Sequence, residues 1–222
     1  MQKRKAMRNN LLPIAKEGIN YILWAILSFV VFTFLDFGFL QLCAFLVTLF
    51  FVFIFRNPER ENIIFQEGSV VAPADGVISL IEELKDDKYA YRVEIESSYF
   101  NVTLLRVPLT SSLRNIEIYK GSRLSPFNNL SKNINENAVL VFSDNNNNSV
   151  KVVHRLKQSF MSIKIDAIIN QNLLKGSRYG VMVNGITTIY LPKNFRLNVN
   201  IGTELAASQT LIGYFTNDKK NK

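Results

Sequence analysis

The chain has 222 residues, room for one ordinary domain and a short appendage but not for two large enzymatic modules. Its formal charge is +8, yet residues 1–56 hold six of the 26 Lys and Arg against two of the 18 acids, so half the excess sits there. The rest is diluted, which argues against a nucleic-acid groove. One cysteine, Cys43, and one histidine, His154, exclude a disulfide framework, a cysteine-based zinc site and any site needing two imidazoles, so no metal is expected.

Residues 1–18 form a basic N-terminus with Lys3, Arg4, Lys5, Arg8 and Lys16. Two uncharged runs follow, residues 19–35 (INYILWAILSFVVFTFL) and 37–55 (FGFLQLCAFLVTLFFVFIF), parted only by Asp36. At about 17 and about 19 residues, each suits a crossing of a ~30 Å hydrocarbon layer. Neither run has the polar face that a surface helix of a soluble domain needs. The apolar region is also too long for a removable signal peptide, and no small-residue cleavage site follows it. Residues 19–55 are therefore predicted to be a helical hairpin anchor, with Asp36 and Gly38 at the turn and Tyr21 and Trp24 as interfacial anchors. Cations flank both ends, Arg56 and Arg60 on the far side. That bias places both ends in the cytoplasm and residues 56–217 on the cytoplasmic face of the membrane.

Beyond Arg60 the pattern changes to short runs rich in Val, Ile, Tyr and Phe, broken by Gly, Asn, Asp and Pro, which predicts a mainly β (α+β) domain. Strands are predicted at 68–71, 76–83, 89–95, 101–107, 113–119, 138–142, 150–153, 159–169, 181–183 and 186–191. Short strands turning at Gly202 and Gly213 follow within 195–215. Connections fall at 74–76, 84–88, 125–136 and the asparagine run 144–148, read as a disordered hairpin tip. Residues 218–222 form a charged tail expected to fray. The glycine-turned strands are similar to the barrel-like sandwich of lipoyl-type domains, but no carrier lysine stands at such a tip.

Motif chemistry is sparse. No G-x-G-x-x-G, P-loop, H-E-x-x-H or G-x-S-x-G pattern occurs. The setting of His154, VKVVHRLK, suits an edge or core histidine better than a general base. Gly-Ser pairs at 68–69, 121–122 and 176–177 carry little information alone.

Six ordered blocks say more: FRNPER at 55–60, VVAPADGVIS at 70–79, FNVTLLRVP at 100–108, NEN at 135–137, KGSRYGVM at 175–182 and IYLP at 189–192. In their order and spacing the chain resembles the phosphatidylserine decarboxylase family, in its short bacterial form with an N-terminal membrane anchor. The resemblance implies a β-rich sandwich or barrel-like domain in phospholipid metabolism at the bacterial inner membrane, with phosphatidylserine or phosphatidylethanolamine headgroups as partners. Family members cut themselves at a Gly-Ser bond and turn the serine into a pyruvoyl cofactor, using an Asp, a His and that Ser.

Carried over by position, the family Asp is Asp75, whereas the family His of FNVH is Thr103, whose hydroxyl does not accept a proton near neutral pH. Where the family reads RYGIIRFGSRVDVYLP, residues 178–192 read RYGVMVNGITTIYLP, one residue shorter. Counting back from Pro192 puts Gly185 at the nucleophile; counting forward pairs Gly185-Ile186 with Gly-Ser. The cleavage position thus falls on Asn184, Gly185 and Ile186, with Thr187 the nearest hydroxyl. Asp75 also has a second reading as the first residue of an Asp-Gly turn. Two functions follow. The first is a non-catalytic, lipid-binding or accessory subunit with no cofactor, expected to pair with an active decarboxylase or with the enzyme that makes its substrate. The second is a divergent decarboxylase that carries a pyruvoyl group and releases carbon dioxide from phosphatidylserine.

Overall fold

The computed structural model describes residues 12–60, 63, 65, 66, 68–86, 88–125, 127, 128 and 130–216. The basic residues Lys3, Arg4, Lys5 and Arg8 and the tail 218–222 lie outside them. The chain divides into two compact units, Met1–Glu59 and Arg60–Lys222.

In the first unit, α1 (Ile19–Phe34) and α2 (Gly38–Ile54) pack as a helical hairpin. Asp36 turns it with φ 57, a left-handed conformation that Asp tolerates. The two flanks meet at the open end. Ile14 bridges Arg56, Ala15 N–H donates to the Phe55 carbonyl at 2.8 Å, and the Asn57 side chain donates to the Leu12 carbonyl at 2.7 Å. Tyr21 stacks on Phe55 there, with centroids 5.6 Å apart. Elsewhere the helices present apolar side chains outward, Trp24, Phe34 and Phe39 among the most exposed. The hydroxyls of Ser28, Thr33 and Thr48 each return to a carbonyl four residues back, which satisfies them without a polar face. The helical segment Lys16–Phe34, 19 residues, is long and apolar enough to cross a membrane; Gly38–Ile54 is apolar but shorter.

The second unit is built from antiparallel strands: β1 (Ser69–Val71), β2 (Gly76–Glu83), β3 (Tyr91–Glu96), β4 (Leu104–Arg106), β5 (Ser111–Tyr119), β6 (Asn137–Ser143), β7 (Ser149–Leu156), β8 (Lys164–Ile165), β9 (Asn172–Leu173), β10 (Arg178–Val181), β11 (Gly185–Leu191), β12 (Phe195–Leu197), β13 (Glu204–Leu205) and β14 (Leu211–Phe215). One large sheet runs β13-β2-β3-β11-β7-β6-β5-β9, beside two smaller ones, β1-β14-β12 and β4-β10-β8. Alternation on β6 and β7 buries every second residue, and register aligns these into cross-strand rows. One row joins Ala138, His154, Thr187, Ile95 and Ile78 across five strands, all buried.

His154 is thus a core residue. One ring nitrogen lies 2.8 Å from the Thr187 hydroxyl and the other 2.6 Å from the Tyr179 hydroxyl, which reaches in from the β4-β10-β8 sheet. Tyr179 also meets Phe142 edge-on at 5.6 Å. A neutral imidazole offers one donor and one acceptor, and both hydroxyls can take either role, so the cluster is satisfied without charge.

Four expectations need correction. The strand predicted at 159–169 is a loop holding only the two-residue β8; its apolar residues Met161 and Ile163 are buried without a ladder around them. Gly213 sits inside β14 rather than at a turn, because a Cβ there would stand 2.0 Å from the Arg196 carbonyl of the neighbouring strand. The predicted strand 181–183 ends at Val181, and β9 has no counterpart in the prediction. The asparagine tip is an ordered turn, since Asp144 Oδ1 accepts from the amides of Asn146 and Asn148, both at 2.8 Å, and Asn147 adopts φ 60.

Burial pushes the His154 pKa down to about 3, whereas in the unfolded chain it titrates near 6.5. The folded state therefore stays neutral while the unfolded state gains a proton as pH falls below about 6.5, so stability is lost in that direction. Between pH 6.5 and 5 the loss is predicted to be roughly 1.5–2 kcal/mol. Denaturant titrations of His154→Gln should lack this component.

Candidate functional site

Asp75 stands in the PADG block, one residue before β2 begins at Gly76. Gly76, with φ 156, lies so close to β3 that a Cβ would stand 2.3 Å from the Glu96 carbonyl. At residues 73–75 the backbone bends rather than forming an Asp-Gly turn. The Asp75 carboxylate bonds no local amide; it takes Arg60 in a two-pronged pair at 2.6 and 2.5 Å and the amide of Ala207 at 2.8 Å. Arg60 also donates to the Ala207 carbonyl at 2.7 Å, so three distant segments close on one another. Both charged side chains are nearly buried. Arg106, opposite Arg178 on the β4–β10 ladder, is held down to about 10, chiefly by burial and then by the positive charges of Arg178 and Arg60. Asp75 opposes that effect and balances a cationic neighbourhood.

The expected site positions converge through two intermediaries. Ser97 donates its N–H to the Gly185 carbonyl at 2.9 Å and its hydroxyl to the Asp75 carbonyl at 2.5 Å. Met182 donates its N–H to the carbonyl of buried Thr103 at 2.9 Å, while its sulfur packs over Gly185. Asn184 makes the turn into β11 with φ 56, its carbonyl accepting from the Lys157 amide and its side chain donating to the Gln158 carbonyl. Ile186, half-buried, lies in ladders with Glu96 and Arg155. The fold thus links Asp75, Thr103 and Gly185, with Ser97 and Met182 as the connectors.

What stands there does not fit a pyruvoyl group. Such a group needs a β-carbon bearing a leaving oxygen, and Gly185 has no β-carbon while Ile186 has no side-chain oxygen. The space is also filled: a Cβ on Gly185 would lie 2.4 Å from the Met182 sulfur and 2.8 Å from the Arg155 carbonyl. Thr187 is fully buried in mid-strand, hydrogen-bonded to His154 and paired in register with β3 and β7. Ser177 occupies a tight turn, its hydroxyl donating to the Leu174 carbonyl at 2.6 Å. Ser69 accepts from Lys175 at 2.6 Å and donates to the Gln66 carbonyl.

A family model described as phosphatidylserine decarboxylase matches residues 47–213. The chain is 32% identical to the phosphatidylserine decarboxylase proenzyme of Geobacter metallireducens over 216 residues, covering 93% of this chain and 99% of that one. It is 30% identical to the proenzyme of Geotalea daltonii, covering 95% and 100%. With that of Wolbachia pipientis wMel it shares 28% identity, covering 90% of each.

Removing one partner of a buried ion pair leaves the other charge uncompensated. Asp75→Ala is predicted to lower the stability of the β-rich unit by about 3–5 kcal/mol, read as a lower denaturation midpoint of the full chain in detergent.

Proposed function

Because the chain belongs to the phosphatidylserine decarboxylase family, we propose that it is a non-catalytic member: a membrane-associated protein of phospholipid metabolism that binds aminophospholipid headgroups and assists an active decarboxylase. The carrying observation is the packing at the cleavage position. By resemblance Thr103 stands where the family has its base; Gly185 has neither a β-carbon nor room for one beside the Met182 sulfur and Arg155 carbonyl, and Ile186, the nucleophile position in the other alignment, has no side-chain oxygen. Asp75, the retained member of the set, is engaged by Arg60 and Ala207 and serves as a tie between segments. On this reading the chain carries no pyruvoyl group. Its two apolar helices span the bacterial inner membrane, and its β-rich domain stands on the cytoplasmic face.

A second reading, a divergent working decarboxylase, draws on the contact between the Thr187 hydroxyl and the His154 ring at 2.8 Å. Burial opposes it. An imidazole held down to about 3 is a weak base, and a threonine locked between two neighbouring strands cannot rearrange its own peptide bond without opening the sheet.

Intact-mass analysis of the purified chain separates the two. Non-catalytic function predicts one uncut polypeptide of 25.4 kDa that is inert to carbonyl reagents. Two fragments, the C-terminal one carrying a carbonyl-reactive end, would overturn it.

A further inference from the structure

On the face of the large sheet opposite His154, the start of β11 lies between two unlike charges. Register pairs Ile186 with Glu96 on β3 and with Arg155 on β7, so the three side chains leave the same face. Two strand spacings put the backbones of Glu96 and Arg155 about 10 Å apart. Lys157 reaches across to Glu96 and donates to its Oε1 at 2.7 Å. The pair is uneven, the lysine side chain being 10% exposed and the carboxylate 48%. A nearly buried ammonium thus fixes a half-exposed carboxylate, whose Oε2 takes no hydrogen bond among the described residues. Arg155 is half-buried, yet its guanidinium has no hydrogen bond or ion pair among the described residues. Its neighbours on that face, Ile186, Asn137 and Val153, carry no charge. Read across three strands, the row is an anchored anion, an apolar side chain and an unanswered cation.

We propose that Glu96, Ile186 and Arg155 seat a phosphoethanolamine unit, with the ammonium on Glu96, the two methylenes over Ile186 and the phosphodiester on Arg155. The ligand's order of charge, cation then methylenes then anion, is the reverse of the row's. A guanidinium offers a phosphate two parallel donors, and a carboxylate accepts the N–H groups of a primary ammonium. Lys157 is the positioning residue, because it holds Glu96 in place before the ligand arrives and so reduces the ordering cost of binding. A choline group has no N–H to donate and leaves the Glu96 oxygen unanswered, so the seat discriminates between the two heads. The proposal rests on the headgroup-binding reading above and gives it a location, apart from the chemistry of the cleavage position.

The test uses the full chain in detergent micelles, in two arms. One titrates soluble glycerophosphoethanolamine and glycerophosphocholine by calorimetry; the other adds phosphatidylethanolamine or phosphatidylcholine and counts retained lipid by native mass spectrometry. The seat predicts a several-fold preference for the ethanolamine form. Arg155→Gln should weaken ethanolamine binding about tenfold, the loss of one charge-assisted contact. Arg155→Lys should restore most of it, and Glu96→Gln should erase the preference over choline. Binding in the lipid arm alone assigns the seat to membrane lipid, and binding in both extends it to free phosphodiesters. Equal binding of choline and ethanolamine forms would overturn the proposal. So would ethanolamine binding that neither Arg155→Gln nor Glu96→Gln alters, although the headgroup reading would then survive. No binding in either arm would sink both, and the intact-mass result bears on neither.

Discussion

A side chain on residue 185 has no space to occupy, and the character of the site follows from that constraint. The Met182 sulfur and the Arg155 carbonyl close over Gly185 from two neighbouring segments, while Ser97 holds its carbonyl from a third. Gly185 is the packed start of a strand running through the middle of the large sheet. Close packing makes such a position costly to alter, because any added atom must displace both a thioether and a main-chain carbonyl.

The polar groups around that strand are committed to the architecture. His154 and Thr187 face each other across adjacent strands, and Tyr179 brings a second sheet down onto them. Asp75 and Arg60 join the PADG block to the Ala207 backbone, so removing the carboxylate would open three segments. Buried hydrogen-bonded networks of this kind fix one arrangement of a core, because each unpaired member would carry a full desolvation penalty.

Much of this was legible in the sequence, for identifiable reasons. Uncharged runs on either side of Asp36 marked the helices, and β2 was predicted at its observed bounds because Gly76 and the end of the alternation delimit it. Residues 159–169 misled because buried apolar residues recur there without a ladder. Their backbone is satisfied instead by the Glu136 carboxylate at Ile163 and the Tyr179 carbonyl at Asp166. The positions of Asp75, Thr103 and residues 184–186 followed from ordered blocks. What these residues touch did not, since Arg60, Ser97 and Ala207 reach them across the fold, from separations no local pattern encodes.

On the proposed non-catalytic reading, the chain produces no phosphatidylethanolamine in a membrane. The most direct measurement is the phosphatidylethanolamine content of a bacterium whose own phosphatidylserine decarboxylase has been removed and in which this chain is expressed. The account predicts that phosphatidylserine accumulates and phosphatidylethanolamine stays at the level of the deleted strain; restored phosphatidylethanolamine would contradict it.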